Sequence, residues 1–286
     1  MVIVNNPEIN MVVDAMGGLE LARTVVTKAI ESGKHVVSAN KAMLAAELPT
    51  LITLLEAHPE VGLGFEAAVG GGIPCIRTFQ QALIGDNFLQ VAGILNGTTN
   101  FMLSAMESRG VSYDSILKEA QDAGFAEADP TADVGGFDAR SKIVLLAKLA
   151  YGLTVNVEEV PCTGITGITS DDFATAAKLN CTVKLLGFAK PDGDALSVFV
   201  SPMMVPLENP VGRVSGATNV VQATTEFLGT SSYVGAGAGR FPTSNSVVAD
   251  MIQIGLGTAA SPAFPRRTSP FTGLATDYSA SWCIRV

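Results

Sequence analysis

The densest set of reactive side chains is GFAEADPTADVGGFDARSK, residues 124–142. Four carboxylates, Glu127, Asp129, Asp133 and Asp138, fall within twelve residues. Asp138 and Lys142 stand four apart, so on a helix they share one face. Carboxylates so placed could hold an ammonium group, and Lys142 could pass a proton to or from a reacting oxygen. The plain alternative is an acidic helix start with a surface ion pair. The following run, IVLLAKLAY, is too apolar for that face to lie fully in solvent, which favours a site. A second lysine, Lys41, follows the strand-like HVVSA, at the end of the strand where ligands bind in open α/β sheets.

Three further features could do chemistry. Glu66 lies in an apolar run, and a carboxylate there wants a cation, a lysine or backbone N–H groups. Gly70-Gly71-Gly72 could turn carbonyls towards a cation or a ligand, or simply make a sharp bend. Gly235, Gly237 and Gly239 alternate ahead of Pro242 and a helix; such backbone can approach a flat ligand, and helix starts favour anions. They also suit a tight loop of small residues. Two G-x-G-x-x-A patterns begin at Gly62 and Gly255, but one lies in a strand and the other at a helix end, so neither reads as a dinucleotide loop. Both histidines are isolated. His35 reads as structural, and no metal cluster is visible.

These residues need a scaffold. Residues 11–16 read as a strand, Gly17-Gly18 as a turn, Leu19–Ser32 as a helix stopped by Gly33, and His35–Ala39 as a second strand. That is a βαβ unit, so a parallel pair is expected. A helix interrupted at Pro49 and a strand over Val61–Val69 follow. From about residue 74 the pattern predicts helices over Ile73–Leu83, Thr98–Ser108, Ser112–Ala123 and Asp138–Tyr151. Strands are predicted over Phe88–Leu95, Val160–Ile168, Val183–Ala189 and Leu196–Val205, with a turn at 191–193. Pro242–Gly255 reads as a helix, and 258–275 as linker. This is an α/β segment with an inserted α+β domain.

Composition sets the class. The 286 residues are 48% hydrophobic and 16% charged, which excludes intrinsic disorder. A net charge of −9 argues against a basic surface for nucleic acid or anionic membrane. No apolar run reaches the length of a membrane span, and the N-terminus has no signal-peptide pattern. Cys75, Cys162, Cys181 and Cys283 lie far apart, as in a reducing compartment. The ends read bare, with strand-like runs near residue 11 and at 281–286.

Five segments together resemble homoserine dehydrogenases: DAMGGLELARTVVTKAIESGKHVVSANKAML, FEAAVGGGIP, GILNGTTNFM, GFAEADPTADVGGFDARSK and VGAGAGRFPTSNSVVAD. They run in the family's order over roughly residues 2–257. The resemblance implies a partial Rossmann-type NAD(P)-binding domain, residues 1–73, and a catalytic and dimerisation domain, 74–232. It also implies a return segment, 233–257, and a linker with an ACT-like stub, 258–286. The implied reaction is the NAD(P)-dependent interconversion of L-homoserine and L-aspartate 4-semialdehyde. In it Lys142 is the proton donor, and Lys41 stands near the nicotinamide and the reacting oxygen. Glu127 and Asp138 bind homoserine, with Asp133 beside them. Gly17, Lys41, Gly124 and Gly239 match cofactor contacts. Glu66, Val69, Gly71 and Ile73 match a site for a monovalent cation such as sodium. A lysine acting as base near neutral pH needs help from burial or a second lysine, and the pair Lys41 and Lys142 fits that need. A homodimer in the cytoplasm is implied, or in a plastid were a transit peptide to precede this sequence. The family's G-x-G-x-x-G strand and loop have no counterpart here. Two readings follow: a fragment of a dehydrogenase, or an inactive remnant that dimerises and still binds homoserine.

Overall fold

The computed structural model describes residues 2–265, 267 and 269–275. Its first part is a small parallel sheet. A short helix, α1 (Val2–Asn5), leads into β1 (Met11–Asp14), α2 (Glu20–Glu31) and β2 (His35–Ser38). Then come α3 (Lys41–Ala46), α4 (Leu48–Ala57) and β3 (Leu63–Gly64). The strand order is β1-β2-β3, with both pairs parallel, as the βαβ reading requires. α2 buries Ala22, Val26, Ala29 and Ile30 against the sheet, the stripe that its period of 3.6 dictates. The helix after Lys41 breaks at Glu47, and Pro49 sits in the first turn of α4, where its missing N–H costs nothing.

The strand expected over Val61–Val69 is shorter than the pattern suggests. Only Leu63 and Gly64 pair with β2, and Glu66–Ala68 coil into a 3₁₀ turn. Tertiary bonds explain the departure. The Glu66 amide donates to the Asp250 carboxylate, and the Glu66 carboxylate accepts from the amides of Ile76 and Arg77. The helix expected over Ile73–Leu83 is likewise reduced to α5 (Cys75–Arg77) and a wider π turn at Thr78–Ala82.

The second part is an antiparallel sheet with helices on it. It comprises β4 (Phe88–Ile94), α6 (Gly97–Arg109), α7 (Tyr113–Asp122), α8 (Thr131–Val134), α9 (Phe137–Tyr151) and α10 (Ser170–Lys178). Next come β5 (Cys181–Asp192), β6 (Ala195–Pro206), β7 (Thr218–Thr225) and β8 (Gly229–Ala236); α11 (Arg240–Gly255) then packs back on β2 and β3 of the first part. The order is β6-β5-β4-β7-β8. Ser112 caps α7 by accepting from the Ser115 amide, as its position predicts. α9 is buried on almost every side, with Ile143, Val144, Leu145, Leu146 and Leu149 fully enclosed. That is why its sequence carries so little charge. One continuous apolar core reaches from Val26 and Val36 through α9 to Val183.

Residues 160–168 do not form the expected strand. Cys162 makes a single bridge to Val200, and Ile165 donates to the Val134 carbonyl instead. Gly164 lies so close to that carbonyl that a Cβ would collide with it, so the segment follows α8 rather than the sheet. The 191–193 turn shifts to Gly193 and Asp194, with Pro191 and Asp192 paired in the β5–β6 ladder. Residues 258–275 have almost no regular structure but are not loose. Phe264 is buried against Phe65, and Gln80 donates to the Ala263 carbonyl. The strand-like run at 281–286 lies outside the described residues.

Candidate active site

The two sheets meet along a cleft of about 890 Å³. Its floor is set by a buried polar chain at the carboxyl ends of β1 and β2. The Ser38 hydroxyl donates to Asp14 (2.8 Å), and the Asn40 amide donates to the Ser38 hydroxyl (3.1 Å). Asn40 then caps α3 through its side chain (3.1 Å to the Met43 amide) and ties back to the Gly18 carbonyl (2.8 Å). Lys41 is therefore the first residue of a fixed helix, aimed across the cleft.

Lys41 meets Asp138 there, at 3.3 Å. Asp138 also takes Lys142, one helical turn on, at 2.6 Å. Asp138 and Lys142 share one helical face, and one carboxylate joins two lysines from opposite sides of the cleft. Lys142 is buried and donates a second bond to the Leu95 carbonyl (2.7 Å). An ammonium has three N–H groups, so one remains for a ligand. Burial alone would raise the Asp138 carboxyl, but the ammonium groups of Lys142 and Lys41 outweigh it and hold the group below its ordinary value.

Asn96, which no local pattern singled out, completes the cluster. Its side-chain oxygen caps α6 at the Thr99 amide (2.8 Å). Its two amide hydrogens go to two carboxylates, Asp133 (2.6 Å) and Asp138 (2.9 Å). Burial raises the Asp133 carboxyl; the bond from Asn96 works against that, and neighbouring Asp138 adds to it. An Asn before a helix is a recognisable cap signal, but its reach to residues 37 and 42 positions away is not.

The opposite rim is the loop 124–127. Gly124 takes a left-handed φ of 75° after α7. The Thr98 hydroxyl holds the Phe125 carbonyl (2.6 Å), the Phe125 ring stacks on Phe101, and Gln121 holds the Glu127 carbonyl (3.1 Å). The Glu127 side chain stays exposed at the mouth. Gly124, Glu127, Asp133, Asp138, Lys142, Lys41 and Gly239 all line this one cleft. Gly17 does not; it is exposed in the β1–α2 turn.

The glycine run forms a wall. Gly235 and Ala236 end β8, and Gly237 to Gly239 lead into α11. A Cβ at Gly71 would lie 2.6 Å from the Gly237 carbonyl, and one at Gly237 would collide with the Asn219 carboxamide. Asn219 is buried, yet neither atom of its carboxamide has a hydrogen-bond partner. A wall of bare backbone over an unsatisfied amide, in a cleft of this volume, fits the flat end of a nicotinamide cofactor.

Behind that wall lies the Glu66 cluster. Glu66 is buried at 3% exposure. Burial pushes its carboxyl up to about 7 despite the two amides that bind it. Asp250 of α11 accepts from the Glu66 amide (2.8 Å) and pairs with Arg77 (3.3 Å). Val69 and Gly71 offer carbonyls that already accept from Cys75 (3.3 Å) and Ser246 (2.7 Å). Each carbonyl keeps a second lone pair. Among the described residues no group of three or more His, Cys, Asp or Glu side chains could hold a metal ion.

Comparison with known proteins identifies the family. A family model described as "Homoserine dehydrogenase" matches residues 74–252, and one described as "Homoserine dehydrogenase, NAD binding domain" matches 2–65. The homoserine dehydrogenase of Mycobacterium leprae is 46% identical over 87% of this chain and 58% of its own length. That of Synechocystis is 44% identical over 88% and 59%. The chain thus spans somewhat under three fifths of these curated relatives. The solved homoserine dehydrogenase of Thiobacillus denitrificans superposes with a TM-score of 0.88 at 40% identity, covering 92% of this chain and 62% of that one. A hyperthermophilic archaeal homoserine dehydrogenase solved in complex with NADPH has a TM-score of 0.77 at 28% identity, over 88% and 73%.

Proposed function

This chain belongs to the homoserine dehydrogenase family, and from that premise we propose that it carries the reaction centre for the NAD(P)-dependent interconversion of L-homoserine and L-aspartate 4-semialdehyde. The observation that carries this reading is the Lys41–Asp138–Lys142 cluster at the floor of a glycine-walled cleft. Lys41, Gly124 and Gly239 would hold the cofactor, which when bound supplies the hydride acceptor or donor. The protein's own part is positioning and proton transfer. Glu127, Asp133 and Asp138 receive the substrate's ammonium group. The free N–H position of Lys142 faces the reacting oxygen. As an amine it takes the hydroxyl proton during oxidation; as an ammonium it returns that proton to the oxyanion during reduction. Lys41 adds positive charge beside the same oxygen.

Two finer elements belong to the same reading. A monovalent cation such as sodium would rest on the Glu66 carboxylate and the main-chain carbonyls of Val69, Gly71 and Ile73; each Glu66 carboxylate oxygen accepts one amide and keeps a lone pair. Homodimerisation would cover Phe227, Leu228 and Val234, which lie exposed along the β7–β8 hairpin. The test is turnover of homoserine by the intact protein with NAD⁺ and NADP⁺, followed by absorbance of the reduced nicotinamide. Folded protein that reduces neither cofactor would sink the proposal.

A further inference from the structure

Two carboxylates that share a half-buried site repel each other, and each resists ionisation unless something stands between them. At the floor of this cleft that something is neutral. Asn96 is buried at 5% exposure, and three of its four side-chain hydrogen-bonding directions are committed, both N–H donors among them. Its oxygen holds the Thr99 amide, and its two N–H groups divide between Asp133 and Asp138. The amide cannot be turned over. The flipped form would set an oxygen against two carboxylates and an NH₂ against the Thr99 N–H. Its orientation is therefore dictated by chemistry rather than chosen.

We infer that Asn96 is a positioning residue that clamps Asp133 to Asp138, so that both carboxylates face the cleft as a preset pair while the lysines keep N–H capacity for the ligand. The inference rests on the proposed function only for its effect on turnover. Without the clamp, Lys142 or Lys41 would have to turn towards Asp133 to balance its charge. Asp138 would lose one of the three donors that fix it. With the clamp, Asp138 binds Lys142 and Asn96 through one oxygen and Lys41 through the other. The charged groups facing Asp133 are Asp138, Lys142 and Lys41. Loss of the neutral donor therefore exposes Asp133 to the Asp138 charge, offset only by the lysines.

The test separates the clamp from the helix cap. Asn96→Ser keeps a good N-cap for α6 but removes both N–H donors. In the intact protein without substrate, carboxyl ¹³C NMR should show Asp133 titrating at higher pH in Asn96→Ser. Loss of a donor to the ionised form disfavours that form. An unshifted Asp133 titration overturns the clamp, whatever happens to turnover. A shifted titration in a protein that never turns over homoserine upholds the clamp and sinks the activity instead. In turnover, kcat/KM should fall on the order of 10²-fold, since small misplacements of reacting groups cost about that much. A double-mutant cycle guards against general damage. With Asp133→Asn already present only the Asp138 charge is left to hold and no pair to clamp, so Asn96→Ser should cost markedly less than it does alone. An equal cost in both backgrounds overturns the inference.

Discussion

The cleft is flanked by two pairs of carboxylates, one half-buried and one buried, that look alike in composition and differ in partners. Asp133 and Asp138 are held by lysine ammonium groups and one carboxamide. Glu66 and Asp250 are held mainly by backbone amides and one arginine. Ammonium partners outweigh burial and keep Asp138 ionised. Backbone amides do not, and Glu66 is pushed up to about 7. The first pair is built to meet a ligand, because side-chain ammonium groups can share their hydrogens with a newcomer. The second is built as a joint. Its bonds cross from the β3 end to α5 and α11, and each amide it satisfies would otherwise be buried unpaired. Burial alone therefore does not mark a site; the mobility and spare capacity of the partners does.

Four substitutions would break or sharpen that contrast. Lys142→Ala should cost most, lowering kcat by roughly 10³-fold or more as the proton carrier is lost. A kcat within tenfold of the parent would remove Lys142 from the reaction. Asp138→Asn leaves two ammonium groups without their shared anion, and kcat/KM for homoserine should drop roughly 10²- to 10³-fold. The pairing of Asp138 also contributes stability at neutral pH, because its carboxyl is lowered in the fold; that contribution fades as pH falls through the shifted value. Asp250→Ala probes the joint. It orphans the buried Glu66 N–H and should destabilise the protein by about 2 kcal/mol in urea unfolding, while kcat in the cold changes little. A kcat collapse with unchanged stability would instead place Asp250 on the ligand side of the contrast. Glu127→Ala should have the smallest effect. Its exposed side chain should raise KM for homoserine about tenfold and leave kcat within a few-fold, read from initial rates.

Local patterns exposed one side of this contrast and hid the other. Asp138 and Lys142 could be paired because their spacing is a helical turn, and Lys41 could be placed because strand ends in βαβ units bind ligands. The apolar run after residue 142 correctly implied a buried helix. Asp250 gave no such hint, since it joins Glu66 from 184 residues away. The same long-range bond ended β3 early, where alternation alone predicted a strand to Val69. β8 escaped notice for another reason. β8 is an exposed edge of Ser, Thr, Tyr and Gly with little apolar signal, and strand patterning depends on one buried face. The segment 258–275 shows the converse: its composition reads as linker, but Phe264 anchors it in the core.

The interlocked glycines have one more consequence. Gly71 accommodates the Gly237 backbone, and Gly237 accommodates the Asn219 carboxamide. A methyl group at Gly71 would displace the Gly237–Ala238 backbone, and one at Gly237 would displace Asn219 of β7, before either touched any ligand. Loss of activity in Gly237→Ala would therefore report a wall pushed inward rather than a missing contact. The aperture of the cleft is gauged from behind, by atoms that are not there, and is set before a ligand arrives.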